Sequence, residues 1–237
     1  MAIERVKALT FDVFGTTVDW CGGVAREVEA VLAPKGVQLD WIAFANRWRK
    51  EYQPAMGAVR EGKRPYVAMD VLHREMLGVA LAEFGVDVLS LTEKDALAFA
   101  WRRLEAWPDV VAGMERLKRK YLVVALSNAN IALAANMAKH AGLPWDVILG
   151  SELVGTYKPM APVYDSAPKF LDLKPEQVMM VACHVWDLRA AQTRGLRAAF
   201  VARPNEYGTG VPGSTPEPGE FDIAVNDFGE LADALGA

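Results

Sequence analysis

Apolar residues run with little interruption from Val6 to Asp12, and Gly15, Thr16 and Thr17 follow at once. That is the pattern of a buried parallel strand ending in a tight turn. From Trp20 to about Asp109 the spacing changes. Apolar residues recur every three or four positions at Val24, Val28 and Leu32, then at Trp41, Phe44, Ala45, Trp48 and Tyr52. This predicts helices, with further ones over Val67–Phe84 and Ser90–Trp107. The last is expected to open on a capping-box pattern at Thr92–Asp95 and to close at Pro108.

After Pro108 strands and helices alternate. Strands are expected at Tyr121–Leu126, Trp145–Leu149, Gln177–Ala182, Leu196–Val201 and Asp222–Val225. Helices are expected at Ile131–Ala141, Pro162–Leu171, from Ala182 to Arg194, and at the C-terminal end. Such alternation implies an α/β fold with a doubly wound, Rossmann-like parallel sheet covered on both faces. Residues 1–18 and 110–237 form that core in this reading, and 19–109 form an inserted all-helical cap domain. Pro204–Glu220, rich in Gly and Pro, reads as a surface loop. Trp20, Trp41, Trp48, Trp101 and Trp107 lie in or beside the insert, a stripe more typical of bundle core than of a ligand box.

Composition narrows the function classes. The chain has 237 residues, 52% of them hydrophobic and 24% charged, which is enough to bury a real core. A net charge of −4 lacks the basic excess of a nucleic-acid footprint. No apolar run has the length of a membrane span, and no signal-peptide pattern precedes the first strand, so a cytoplasmic protein is expected. Two cysteines and three histidines make neither a disulfide framework nor a spaced zinc set.

Chemistry is expected where the strands end. In a doubly wound sheet Asp12, Ser127 with Asn128, Lys158 and Asp187 all open on the carboxyl edge, where ligands bind. Each has a bland reading by itself: Asp12 and Asp187 as helix caps, Ser127-Asn128 as a helix start, Lys158 as a solvated charge. Four polar groups converging from four separate segments favour a site. A lysine opposite Asp12 would hold that carboxylate ionised.

The stretches FDVFGTT, LSNAN, YKP and VACHVWD, in that order and spacing, resemble the four motifs of the haloacid dehalogenase superfamily. The resemblance spans nearly the whole chain, and the helical insert is similar to that family's cap. It implies an aspartate nucleophile at Asp12. The family's magnesium phosphatases carry acidic residues two after the nucleophile and four before the last aspartate. Here those positions are Phe14 and Cys183, and a hard cation wants several oxygen ligands. The (S)-2-haloacid dehalogenase branch fits better. Trp48-Arg49-Lys50 falls where that branch has its cap arginine, Tyr164 lies six residues beyond the motif lysine, and Asn128 and Trp186 fall at halide-cradle positions.

The resemblance thus implies hydrolysis of short (S)-2-haloacids to (R)-2-hydroxyacids through an ester on Asp12. In that reading Lys158 keeps Asp12 anionic, Thr16 and Ser127 position oxygens, Arg49 and Asn128 receive the halide, and no metal or other cofactor is needed. One departure stands out: better-known members have Ser and Asn where this chain has Ala182 and His184. His184, three residues before Asp187, is expected to pair with it and activate water. A magnesium phosphatase and a non-catalytic binding protein are the alternatives. A small haloacid is the expected partner, with no nucleic acid or membrane, and a homodimer is left open.

Overall fold

A computed structural model describes residues 2–237. Six parallel strands form one sheet: β1 (Ala8–Phe11), β2 (Leu122–Ser127), β3 (Val147–Gly150), β4 (Val178–Ala182), β5 (Arg197–Val201) and β6 (Ile223–Val225). Their order is β3-β2-β1-β4-β5-β6, so the chain winds outward in both directions from the centre. β1 is flanked by β2, with Ala8 beside Leu122, and by β4, with Ala8 beside Val178. The order reverses at β1, and Asp12 leaves the sheet at that switch point.

Side chains alternate between two cores. Leu9, Phe11, Val123, Ala125, Met179 and Val181 face one way, and Val124, Leu126, Val178, Met180 and Phe200 the other. Because both faces are buried, the strands read as continuous apolar runs. Helices α6 (Val110–Lys118), α7 (Ile131–Ala141) and α10 (Phe228–Ala234) cover the first face, and α8 (Ala161–Leu171) and α9 (Val185–Thr193) the second.

Between β1 and α6 the chain is helical: α1 (Trp20–Leu32), α2 (Trp41–Lys50), α3 (Tyr52–Arg60), α4 (Met69–Glu83) and α5 (Leu91–Ala98). The final helix of this insert ends sooner than its periodicity suggests, since Phe99–Arg102 is a 3-10 turn. Its capping box is also elsewhere than expected. Ser90 accepts from the Glu93 amide and Glu93 accepts from the Ser90 amide, two residues before Thr92. Leu91, inside the box, is an exposed apolar residue. Asp12 is not a helix cap, because Asp19 caps α1 by accepting from the Gly22 amide at 2.8 Å.

The tryptophan stripe is core, and also more than core. Trp20, Trp48 and Trp101 are fully buried. Trp20 stacks on Trp101 at 6.0 Å and Trp48 meets it edge-on at 5.7 Å. Such pairs contribute roughly 0.5–1.5 kcal/mol each beyond the area they bury. The cluster extends to Phe14, whose ring lies 5.6 Å from Trp101, so the insert packs directly onto the turn after β1. Polar contacts tie the same parts together: Trp107 Nε1 donates to the Gly15 carbonyl at 2.8 Å, and Arg60 donates to the Lys158 carbonyl at 2.9 Å. Among the described residues no helix is long and apolar enough to cross a membrane.

Candidate active site

Asp12 sits one residue past β1 and is 8% exposed. One of its oxygens, Oδ2, accepts from Thr16 Oγ1 at 2.9 Å and lies 3.1 Å from His184 Nδ1. The other, Oδ1, has a longer contact of 3.3 Å with Lys158 Nζ. Burial alone would push the Asp12 carboxyl up. The Lys158 charge and the hydrogen bonds from His184 and Thr16 outweigh it and hold the group well below the usual carboxylate range. Asp12 is therefore an anion with one lightly engaged oxygen.

Lys158 is fully buried between two carboxylates, 2.7 Å from Asp187 Oδ2 and 3.3 Å from Asp12 Oδ1. Burial pulls its pKa down, and the two carboxylates more than reverse that. Asp187, in the first turn of α9, also accepts from Tyr164 Oη at 2.5 Å. Its carboxyl is shifted up, chiefly by burial. Tyr164 thus braces Asp187 from α8, with its hydroxyl spent there.

His184 is not bonded to Asp187 as expected from the sequence. Its Nδ1 faces Asp12, and its Nε2 lies 2.9 Å from Glu206 Oε1. The reason is local: α9 begins at Val185, which turns Asp187 inward toward Lys158 while His184 stays outside the helix over Asp12. Burial lowers the His184 pKa, and the Cys183 sulfur and the Glu206 and Asp12 carboxylates push it well above the ordinary value. Burial also raises the Cys183 pKa and keeps it a thiol, so the two carboxylates carry the effect.

Ser127 and Asn128 are brought to the same edge, but as scaffolding. Ser127 Oγ accepts from the Ala129 amide at 3.1 Å. Asn128 Oδ1 accepts from the Lys158 amide at 2.8 Å and from Ser151 Oγ at 3.1 Å, which fixes the loop that carries the lysine.

Arg49 reaches the site from α2. Its guanidinium carbon lies 3.7 Å from the Tyr52 ring centroid, 5.4 Å from Trp20 and 5.8 Å from Phe14. One of its nitrogens, Nη1, is buried without a hydrogen-bond partner. A buried cation in an aromatic box with an unused donor suits a small anion. Arg49 and His184 line one pocket of about 340 Å³ with Asn46, Tyr52, Trp186 and Tyr207. Trp186 is 40% exposed at this pocket and its ring lies 5.9 Å from that of His184. A larger groove, about 620 Å³, runs beneath Pro212–Gly219 and contains none of the motif residues.

Three neighbours carried no signal in the sequence. Tyr52 looked like one more apolar position, yet its phenol interacts with Arg49 and Asn128, and burial raises its pKa against their pull. His73, from α4, is fully buried against Trp101. Glu206 comes from Pro204–Glu220, the stretch whose composition reads as a surface loop. It is 1% exposed, and besides His184 it accepts from Trp20 Nε1 at 3.0 Å. Gly15 makes room for it: at φ 89° a Cβ there would lie 2.4 Å from Glu206 Oε1.

Among the described residues the one group with metal-ligand spacing is Cys183, His184 and Glu206. Its donors already bond one another, with a thiol whose pKa is raised, and the two positions where the family's magnesium phosphatases are expected to carry an acid and a metal ligand hold the buried Phe14 ring and Cys183. This donor set does not fit a hard divalent cation.

Residues 6–194 match the haloacid dehalogenase-like hydrolase family. The chain belongs to that family. It is 29% identical over 211 residues to (S)-2-haloacid dehalogenase 4A of Burkholderia cepacia, covering 86% of this chain and 88% of that one. Its structure is similar to that of a defluorinating L-2-haloacid dehalogenase, at TM-score 0.94 and 43% identity over 98% of this chain and 96% of the other. A second L-2-haloacid dehalogenase structure gives TM-score 0.93 at 42% identity, covering 98% and 99%.

Proposed function

We propose that this hydrolase is an (S)-2-haloacid dehalogenase that works through a covalent ester on Asp12. The observation that carries the reading is a buried, anionic Asp12 whose partner His184 lines the same pocket as the boxed cation of Arg49, whose Nη1 has no partner. A carboxylate nucleophile beside a small pocket that holds an anion receptor suits displacement of halide from carbon.

In the first step Asp12 Oδ1, the oxygen with the single longer contact, attacks the carbon bearing the halogen. A C–O bond forms in line as the C–X bond breaks, which inverts that carbon. Lys158 has kept the attacking carboxylate ionised, and Arg49 takes the charge developing on the halide. Water then adds to the Asp12 carbonyl carbon, His184 accepts its proton, and Thr16 holds the oxygen that becomes negative. Collapse releases the (R)-2-hydroxyacid and restores Asp12. The relatives named above, which act on 2-haloacids by their names, support the substrate class.

The phosphatase reading requires an acid and a cation site where Phe14 and Cys183 stand. The deciding assay supplies (S)-2-chloropropionate and a phosphomonoester to the same enzyme, with chelator and then with magnesium. Chloride release in chelator is the expected result. Inert enzyme in chelator, with phosphate release once magnesium returns, overturns the reading.

A further inference from the structure

His184 bridges two carboxylates from distant parts of the chain, Asp12 at 3.1 Å on Nδ1 and Glu206 at 2.9 Å on Nε2. The two partners differ in fate. Asp12 loses its charge when it becomes an ester, whereas Glu206 is untouched by the chemistry. Glu206 is also rigidly held, since Trp20 Nε1 donates to the same Oε1 at 3.0 Å and Gly15 leaves no side chain in its way.

We infer that Glu206 is the positioning residue for ester hydrolysis, holding the proton of His184 on Nε2 so that the Nδ1 lone pair faces the Asp12 ester and its water. This rests on the proposed function above and deepens it.

The proton count closes. In the resting enzyme His184 is protonated on both nitrogens, with Nδ1–H donating to Asp12. Ester formation removes that anion, and one proton leaves Nδ1 for solvent as the halide departs. Glu206 retains the Nε2 proton, because its carboxylate is now the one anionic acceptor in contact with the ring. Water attacking the ester gives its proton to Nδ1, which regenerates Asp12 and the doubly protonated ring. An orienting acid behind a histidine is a recurring device for fixing the tautomer of a general base.

Other titratable groups near the ring do not replace Glu206. Cys183 remains a thiol, and Tyr207 has its pKa raised by burial and so stays neutral. Arg49 lies across the pocket as a cation, and Lys158 and Asp187 sit behind Asp12 and bond each other.

The test separates the two half-reactions. In Glu206→Gln, rapid-quench halide release with (S)-2-chloropropionate should keep a burst rate within about threefold of the parent, while ester hydrolysis slows by about tenfold or more. The acid limb of the hydrolysis rate should move to lower pH, because removing an anion next to the imidazole weakens it as a base. Glu206→Asp should restore part of the rate. Equal slowing of both steps with no movement of the limb would mean a merely structural role and overturns the inference, as does unchanged hydrolysis. A second measurement needs no turnover. In full-length Asp12→Asn, where a neutral amide stands in for the ester, nitrogen-15 NMR of His184 should show the Nε2–H tautomer, and Nδ1–H overturns the inference. Wild-type enzyme that releases no halide at all would overturn the dehalogenase reading instead, while the NMR result still reports on Glu206.

Discussion

His73 lies flat on Trp101, with ring centroids 4.3 Å apart and planes 13° from parallel, and neither of its ring nitrogens has a hydrogen-bond partner. Burial, helped by the nearby Arg49 charge, holds its pKa well below the ordinary histidine value, so the ring is neutral in the folded protein. The unfolded chain takes up a proton at this residue near the ordinary value and the folded one does not. The His73 contribution is therefore present above that pH and lost as pH falls below it. On denaturant unfolding, the parent should lose more stability, or gain less, than His73→Phe between pH 7.5 and pH 5. Equal changes in parent and variant would refute this.

His184 titrates in the opposite sense. Its folded pKa is raised, so its contribution is fully present below the ordinary histidine value and is lost as pH rises through the raised one. His184→Gln should be least damaging to stability at alkaline pH, and kinetically it should leave a halide burst while slowing turnover. Loss of the burst with ester hydrolysis intact would contradict the role given to this residue.

Asp12→Asn should lower halide release by roughly ten-thousandfold or more, as removal of a nucleophile does. Single turnover of the parent enzyme in heavy-oxygen water should place the label in the Asp12 carboxylate, read by mass spectrometry of the peptide. Label appearing in the product alone would mean that water attacks the substrate directly.

Lys158→Met leaves Asp12 and Asp187 as buried carboxylates with no cation between them. Breaking a buried pair in this way costs about 3–5 kcal/mol, measurable by chemical denaturation. Because the depressed Asp12 pKa contributes stability that persists as pH falls to that low value, its rise in the variant should move acid unfolding to higher pH. The acid limb of halide release should move the same way.

Arg49→Lys keeps the charge but loses the planar cation stacked on Tyr52. Both kcat and kcat/KM should fall, by about tenfold or more, with little change in Tm. An Arg49→Lys enzyme with parental kinetics would remove Arg49 from the anion site.

The sheet was legible because buried parallel strands write themselves as apolar runs, and the turn residues after Asp12 and the Gly142 that ends α7 punctuate them. Asp12, Thr16, Lys158 and Asp187 were legible through their places in the motifs, and the structure links them in one chain of hydrogen bonds, Thr16 to Asp12 to Lys158 to Asp187. What the sequence could not show was pairing. His184 and Asp187 lie three apart, yet a helix start between them sends their side chains to different partners. Glu206 lies in a stretch whose Gly and Pro content signals only irregular backbone. Tyr52 and His73 fell on apolar faces, and nothing in periodicity marks which apolar position borders a pocket.

The central place of β1 bears on how the protein comes into being. Its neighbours on either side begin at Leu122 and Val178, so the strand that carries Asp12 emerges from the ribosome early and waits for both of its partners. Pairing across such sequence separations is entropically slow, and the helical insert, rich in local contacts, can form in the interval. Catalytic competence thus arrives only once β4 and the loop beyond β5, which bring His184 and Glu206 into place, have been made.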